Sequence, residues 1–269
     1  LGEWRTRLLG NRRLLAVASS SDSAVSGLDP LPYSALDAQR VAKAFRQCGY
    51  RSEVLPNAHI TRSDILAALR AETLASRAGD SFVLYLSGHG FSDANGIQAL
   101  VTHGDGANGV EALSLNAIQV ALANHRGNVV IIVDSCSDRR MFDLREYAMD
   151  VEPRAAGKRA LLFLSTNLGE KAFQSESLRS SYFTHSLVNA LAERVGKETD
   201  EPLRLDFESL FRKVQADTTA LAAHYGVSQT PTMLPAGVFV AENGSTRGQP
   251  RQVRKSGVAD MLRLKMDLP

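Results

Sequence analysis

The chain has 269 residues, 44% hydrophobic and 22% charged, with a formal net charge of +2. These values are ordinary for a soluble globular protein, and so small a charge gives no basis for nucleic-acid or membrane binding. The only two cysteines, Cys48 and Cys136, make no disulfide framework, so a reducing, cytoplasmic location is expected. No stretch approaches the ~18 apolar residues that span a bilayer.

The chain starts at Leu1 rather than Met, as a processed product or a fragment would. Residues 1–13 read as an N-terminal extension. Arg12-Arg13 before an apolar run superficially resembles a signal peptide, but that run is only about five residues long, against the usual ~7–15. A first sheet strand over 14–20 explains it better. Residues 21–33, with two Pro, form a loop. Ser34 opens a helix to about Gln47, with Leu36, Val41, Ala44 and Phe45 apolar and Gly49 stopping it. Tyr50 to Leu55 is a short strand. Thr61-Arg-Ser-Asp64 is a capping-box-like opening of a second helix whose apolar face is Ile65, Leu66, Leu69 and Leu74.

Residues 81–87 form a buried strand running into Ser87-Gly88-His89-Gly90. Ile97 to Val101 reads as a short strand, and Ser114 opens a helix to about Asn124. Val129 to Val133 are all apolar and β-branched, which suits a strand buried on both faces in the middle of a parallel sheet. That run stops at Asp134, and Cys136 follows. Residues 137–159 are rich in charge, contain Pro153 and Gly157, and read as a long exposed loop. Leu161 to Leu164 resumes as a strand, helices follow over 180–194 and 206–223, and 229–234 is an extended closing segment. Residues 241–269 read as a linker and tail, with 258–264 as a short docking helix. The alternation predicts an α/β fold with a mostly parallel sheet of about six strands and helices on both faces.

In open α/β sheets ligands bind beyond the carboxyl ends of the strands. Cys136 and His89 each stand just past the end of such a strand, so neighbouring strands would bring thiol and imidazole to one edge. The flanking glycines let a substrate backbone approach. Either residue alone reads as a structural Cys or a surface His; the pair reads as a nucleophile and its base.

The motifs Tyr85-Leu-Ser-Gly-His-Gly90 and Val133-Asp-Ser-Cys136 resemble the caspase-like cysteine peptidases, and within them the metacaspase and bacterial caspase-like branch. The likeness extends over roughly 12–240 through Ala35-Leu-Asp-Ala38, Ser165-Thr166, Ala172-Phe173, Tyr182-Phe183-Thr184 and Gln229-Thr-Pro231. It implies one peptidase domain over 14–240: a large-subunit-like part (14–136), an inter-subunit loop (137–159) and a small-subunit-like part (160–240). It further implies that Cys136 attacks a peptide carbonyl while His89 handles protons. The N–H groups of Gly90 and Cys136 hold the oxyanion, and no third triad member is required. Asp37, Ser87 and Asp134 match the metacaspase pocket for Arg or Lys, where carboxylates face a buried cation. Ala172-Phe173-Gln174-Ser175 offers no arginine of the kind caspases use to bind Asp. The plainer alternatives are a first-turn helix residue for Asp37 and a strand-end turn residue for Asp134.

The chain departs from that branch after the cysteine, where Ser137-Asp138-Arg139-Arg140 stand in place of His-Ser-Gly. Of a metacaspase calcium cluster only Asp105 and Asp143 can be matched, short of about six to eight oxygen ligands, so no metal and no cofactor is expected. Arg139, Arg140, Arg145, Arg154, Lys158 and Arg159 make 137–159 either a place for self-cleavage or a solvated charged loop. The expected function is therefore a cysteine endopeptidase cutting after Arg or Lys, a regulated effector in a bacterial defence or cell-death system. Its partners would be protein or peptide substrates with a basic residue before the scissile bond and an activating protein, with no nucleic acid and no membrane. The alternatives are a silent caspase-like scaffold and a separase-like or gingipain-like thiol peptidase.

Overall fold

The computed structural model describes residues 10–19, 28–55, 59–92, 98–104, 109–136, 160–167, 170–195 and 205–234. In chain order the first half forms β1 (Arg12–Ser19), α1 (Ser34–Gln47), β2 (Arg51–Val54), α2 (Arg62–Ala75), β3 (Ser81–Gly88), β4 (Gly90–Ser92), β5 (Gln98–His103), β6 (Val110–Ser114), α3 (Leu115–Leu122) and β7 (Asn128–Asp134). The second half forms β8 (Ala160–Leu164), β9 (Gln174–Ser175), β10 (Ser180–Ser181), α4 (Tyr182–Val195), α5 (Phe207–His224) and β11 (Thr232–Leu234).

Six strands make one sheet in the order β11-β8-β7-β3-β1-β2. All neighbours are parallel except β11, which runs antiparallel to β8. This is the expected α/β architecture. Alternate side chains of each strand face opposite layers. Leu14, Ala16, Val83, Tyr85, Val130 and Ile132 meet Val41 and Phe45 of α1, Phe183 and Leu187 of α4, and Leu210 and Phe211 of α5. Leu15, Val17, Leu84, Leu86, Ile131 and Val133 meet Ile65 and Leu69 of α2 and Ile118 of α3. Helices on both faces are why the central strands carry no polar alternation.

Several local expectations need correction. β1 begins at Arg12, so strand structure enters the expected extension; Arg13 is held by Glu72 at 2.8 Å. The helix expected from Ser34 to about Gln47 is α1, with those bounds, and Tyr33 holds its cap position without a side-chain hydrogen bond. Thr61 does cap α2, in a reciprocal capping box with Asp64. Leu74 is 87% exposed; five residues on from Leu69 it lies about 140° round the helix, off the buried stripe. Residues 180–181 form β10, and α4 begins only at Tyr182. The strand expected over 97–101 is β5, part of a separate three-stranded antiparallel sheet, β4-β5-β6. The expectations for 137–159, 241–269, Asp105 and Asp143 lie outside the described residues.

Candidate active site

The last register pair between β3 and β7 is Ser87 with Asp134. His89 and Cys136 each follow that pair by two residues, so both leave the sheet at its carboxyl edge from adjacent strands. The two turns touch. A Cβ on Gly90 would lie 2.6 Å from Ser135 Cβ and 2.7 Å from the Cys136 carbonyl oxygen, so glycine is what lets the His89 turn lie on the Cys136 turn. The Val101 N–H donates to the His89 carbonyl at 2.8 Å. That bond makes 89–101 a hydrogen-bonded pair and Gly90–Leu100 a non-bonded one, leaving the Gly90 N–H out of the β4–β5 ladder.

His89 is buried, and its Nε2 meets the main-chain carbonyl of Asp29 at 2.7 Å. A carbonyl oxygen only accepts, so Nε2 carries the proton and Nδ1 keeps the lone pair. Burial pushes the imidazole pKa below its ordinary 6.5, outweighing the hydrogen bond and charge of Asp29, which act the other way. Neutral imidazole is therefore the resting state near neutrality. Cys136 is half-buried. Its Sγ accepts from the Ala172 N–H at 3.4 Å and lies 3.8 Å from the Ala172 carbonyl. The preceding residue is clasped by Ser165, whose Oγ accepts from the Ser135 N–H and donates to the Ser135 carbonyl, each at 3.1 Å.

A second cluster lies beside this edge, on the α1 and α4 side of the sheet. Asp37, in the first turn of α1, is completely buried, and Asp134 is 3% exposed. Ser180 Oγ donates to Asp37 Oδ1 at 2.6 Å and the Ser181 N–H donates to Asp37 Oδ2 at 2.9 Å. Ser181 Oγ donates to Asp134 Oδ2, joined there by Thr184 Oγ1 at 2.7 Å and the Tyr85 hydroxyl at 3.4 Å. Ser181 thus ties one carboxylate to the other. Arg40 Nη1 is 3.8 Å from Asp37 Oδ1 but makes its shorter bond, 2.7 Å, to the Arg179 carbonyl. Burial first, and then the charge of Asp134, push Asp37 up to about 7. Burial also raises Asp134 above the usual carboxylate range, against the hydroxyls that donate to it. Asp134 Oδ1 is buried and has no hydrogen-bond partner. Ser87 is buried on the strand beside Asp134 and in register with it.

A family model of the Caspase domain matches residues 21–237. The chain belongs to the caspase-domain family. Its match starts just past β1 and takes in every later element, so both clusters fall within the caspase domain. Membership supports a cysteine-peptidase function. No curated protein matches the sequence. Among the described residues of the caspase domain, no three His, Cys, Asp or Glu side chains gather as metal ligands, and no helix is long and apolar enough to cross a membrane.

The six residues singled out from sequence fall into two groups: His89, Gly90 and Cys136 at the strand ends, and Asp37, Ser87 and Asp134 beside them. Further contributors, Ser165 and Ala172 beside the thiol among them, were not singled out as site residues. Asp29 acts through its main chain, Tyr85 reaches Asp134 from the neighbouring strand β3, and Ser180, Ser181 and Thr184 matter only because α4 and β10 pack on the end of β7.

Proposed function

We propose that this caspase domain is a cysteine endopeptidase that cuts after Arg or Lys, using Cys136 and His89 as a dyad and Asp37, Ser87 and Asp134 as its specificity pocket. The observation that carries the specificity is the buried carboxylate pair with its unpartnered Asp134 Oδ1. Two carboxylates held together out of water favour a cation, because their mutual repulsion and desolvation are relieved only by a positive charge or a proton. An Asp side chain entering the same place would meet like charge, and Gln174 and its neighbours offer no guanidinium to receive it.

The proton of the Cys136 thiol passes to His89 Nδ1, and the sulfur attacks the carbonyl carbon beside the basic residue. The oxyanion accepts hydrogen bonds from the N–H groups of Gly90 and Cys136, each such donor worth about 2.7–4 kcal/mol in comparable peptidases. As the tetrahedral adduct collapses, the C–N bond breaks and His89 returns the proton to the leaving amine. Water then attacks the thioester, giving its proton to His89; the carboxylic product leaves and the thiol is restored. Throughout, the Asp29 carbonyl holds the ring in the tautomer that presents Nδ1.

The Arg/Lys pocket supports kinship with the metacaspase and bacterial caspase-like branch, and by that analogy a role in a regulated cytoplasmic defence or cell-death system. The basic residues of 137–159 make that stretch of sequence a substrate for the same pocket. Fluorogenic peptides ending in Arg, Lys or Asp, run beside Cys136→Ala, test the reading. Arg and Lys peptides should turn over at least about 10²-fold faster than the Asp peptide, and C136A not at all. Cleavage after Asp removes the pocket assignment; no turnover by the wild type favours the scaffold.

A further inference from the structure

A ring of hydrogen bonds from three separate segments closes around Cys136. Gln229 is 1% exposed. Its Nε2 donates to the Ser165 carbonyl at 3.0 Å, and its Oε1 accepts from the Phe173 N–H at 3.1 Å. Ser165 Oγ clasps both main-chain groups of Ser135. The next residue is Cys136, whose sulfur meets the N–H of Ala172, and Ala172 leads into Phe173 and back to Gln229. A second tie runs in parallel: Glu170 Oε2 accepts from the Thr230 N–H at 2.7 Å and from the Asn167 N–H at 3.1 Å. The segment before β11 is thus fastened to both sides of the thiol.

We infer that the Ala172 main-chain N–H is a thiolate-stabilising donor to Cys136 and that Gln229 is the positioning residue that aims it. The thiolate, not the thiol, is the nucleophile, and an N–H directed at the sulfur favours the charged form. The thiol also donates to the Ala172 carbonyl, which favours the neutral form, but that bond is the longer one, 3.8 Å against 3.4 Å for the N–H. A buried amide bonded at both ends fixes that difference before any substrate arrives, which is how a dipole contributes without reorganising. The catalytic consequence rests on Cys136 being the nucleophile proposed above; the electrostatic one is a property of the thiol itself.

The test reads the thiol directly. Full-length wild type, Gln229→Asn and Ala172→Pro are alkylated with iodoacetamide across a pH series, with Cys136 followed by peptide mass spectrometry so that the buried Cys48 does not contribute. Q229N is one methylene too short to reach both partners, and A172P deletes the donor. Both should move the alkylation midpoint alkaline by about one unit, making Cys136 about tenfold slower to react below it. On an Arg peptide kcat should fall while KM stays put. In the unaltered protein, the Ala172 amide nitrogen resonance should titrate with the wild-type alkylation midpoint, a measurement that needs no variant to fold. An Ala172 resonance that ignores that midpoint overturns the assignment. So does a profile superimposable on wild type in a folded variant, or one shifted to acid, which would make Ala172 a cover over the sulfur. None of these thiol readouts needs peptide turnover, so a shifted profile in a protein that cleaves nothing would separate this inference from the peptidase proposal.

Discussion

Asp37→Asn should make the protein more stable and less useful. The Asp37 carboxyl titrates at 3.8 in an unfolded chain and at about 7 in the fold, chiefly because burial disfavours its charge. Between those pH values the folded state keeps a proton that the unfolded state has given up, so stability falls as pH rises through that window. A shift of this size corresponds to roughly 2–4 kcal/mol lost by pH 8. The amide introduced in D37N keeps the shape of the carboxyl, still accepts from Ser180 or Ser181, and carries no charge to desolvate or to repel Asp134. The stability difference between D37N and wild type should be near zero at pH 4 and grow to roughly 2–4 kcal/mol at pH 8, about 5–15 °C in Tm for a domain of this size. Over the same series kcat/KM for an Arg peptide should fall about 10²–10³-fold, since removing one partner strands a buried cation. Thermal unfolding by circular dichroism from pH 4 to 8.5, with peptide kinetics at each pH, measures both. If D37N is less stable at pH 8, or differs from wild type equally at pH 4 and pH 8, the carboxylate pair is not held against its own ionisation and the reasoning fails.

The same proton should appear in the kinetics. For an Arg peptide, kcat/KM should rise as pH climbs through about 7, where Asp37 ionises, with a separate limb below 6.5 from His89. D37N should retain only the lower limb, and an upper limb that persists in it would have to come from another group. Gly90→Ala places a methyl against Ser135 and the Cys136 carbonyl, so it should cost about 1–3 kcal/mol and most of the activity. A G90A protein as stable and active as wild type would mean that the two turns do not depend on their contact.

The fold was legible wherever burial is complete on both sides of an element. The runs Val83 to Leu86 and Val129 to Val133 are apolar at every position because helices cover both faces, and composition alone marks them as central strands. The β4-β5-β6 sheet was visible only in part, because β4 is three residues long and opens on a glycine. Leu74 misled because a leucine near an apolar stripe looks like a member of it until the angle round the helix is counted. At the site, His89, Gly90 and Cys136 could be read because they follow their strands directly. The support of Asp37 and Asp134 could not, since Ser180 and Ser181 come from more than forty residues away in one case and more than a hundred in the other. Asp29 was invisible for a different reason: a main-chain carbonyl is common to every residue type.

β8 lies between β7 and β11, with five residues in register from Val129–Ala160 to Val133–Leu164. Phe163 of that strand packs on Phe207 and Phe211 from α5 and shares a core with Phe183 of α4. The portions before and after residues 137–159 therefore lie side by side in one continuous sheet, joined along β7 and β8, and share one hydrophobic core. Severing the chain in that connection would not set two pieces free. It would leave a single particle on a sizing column and two bands only on a denaturing gel.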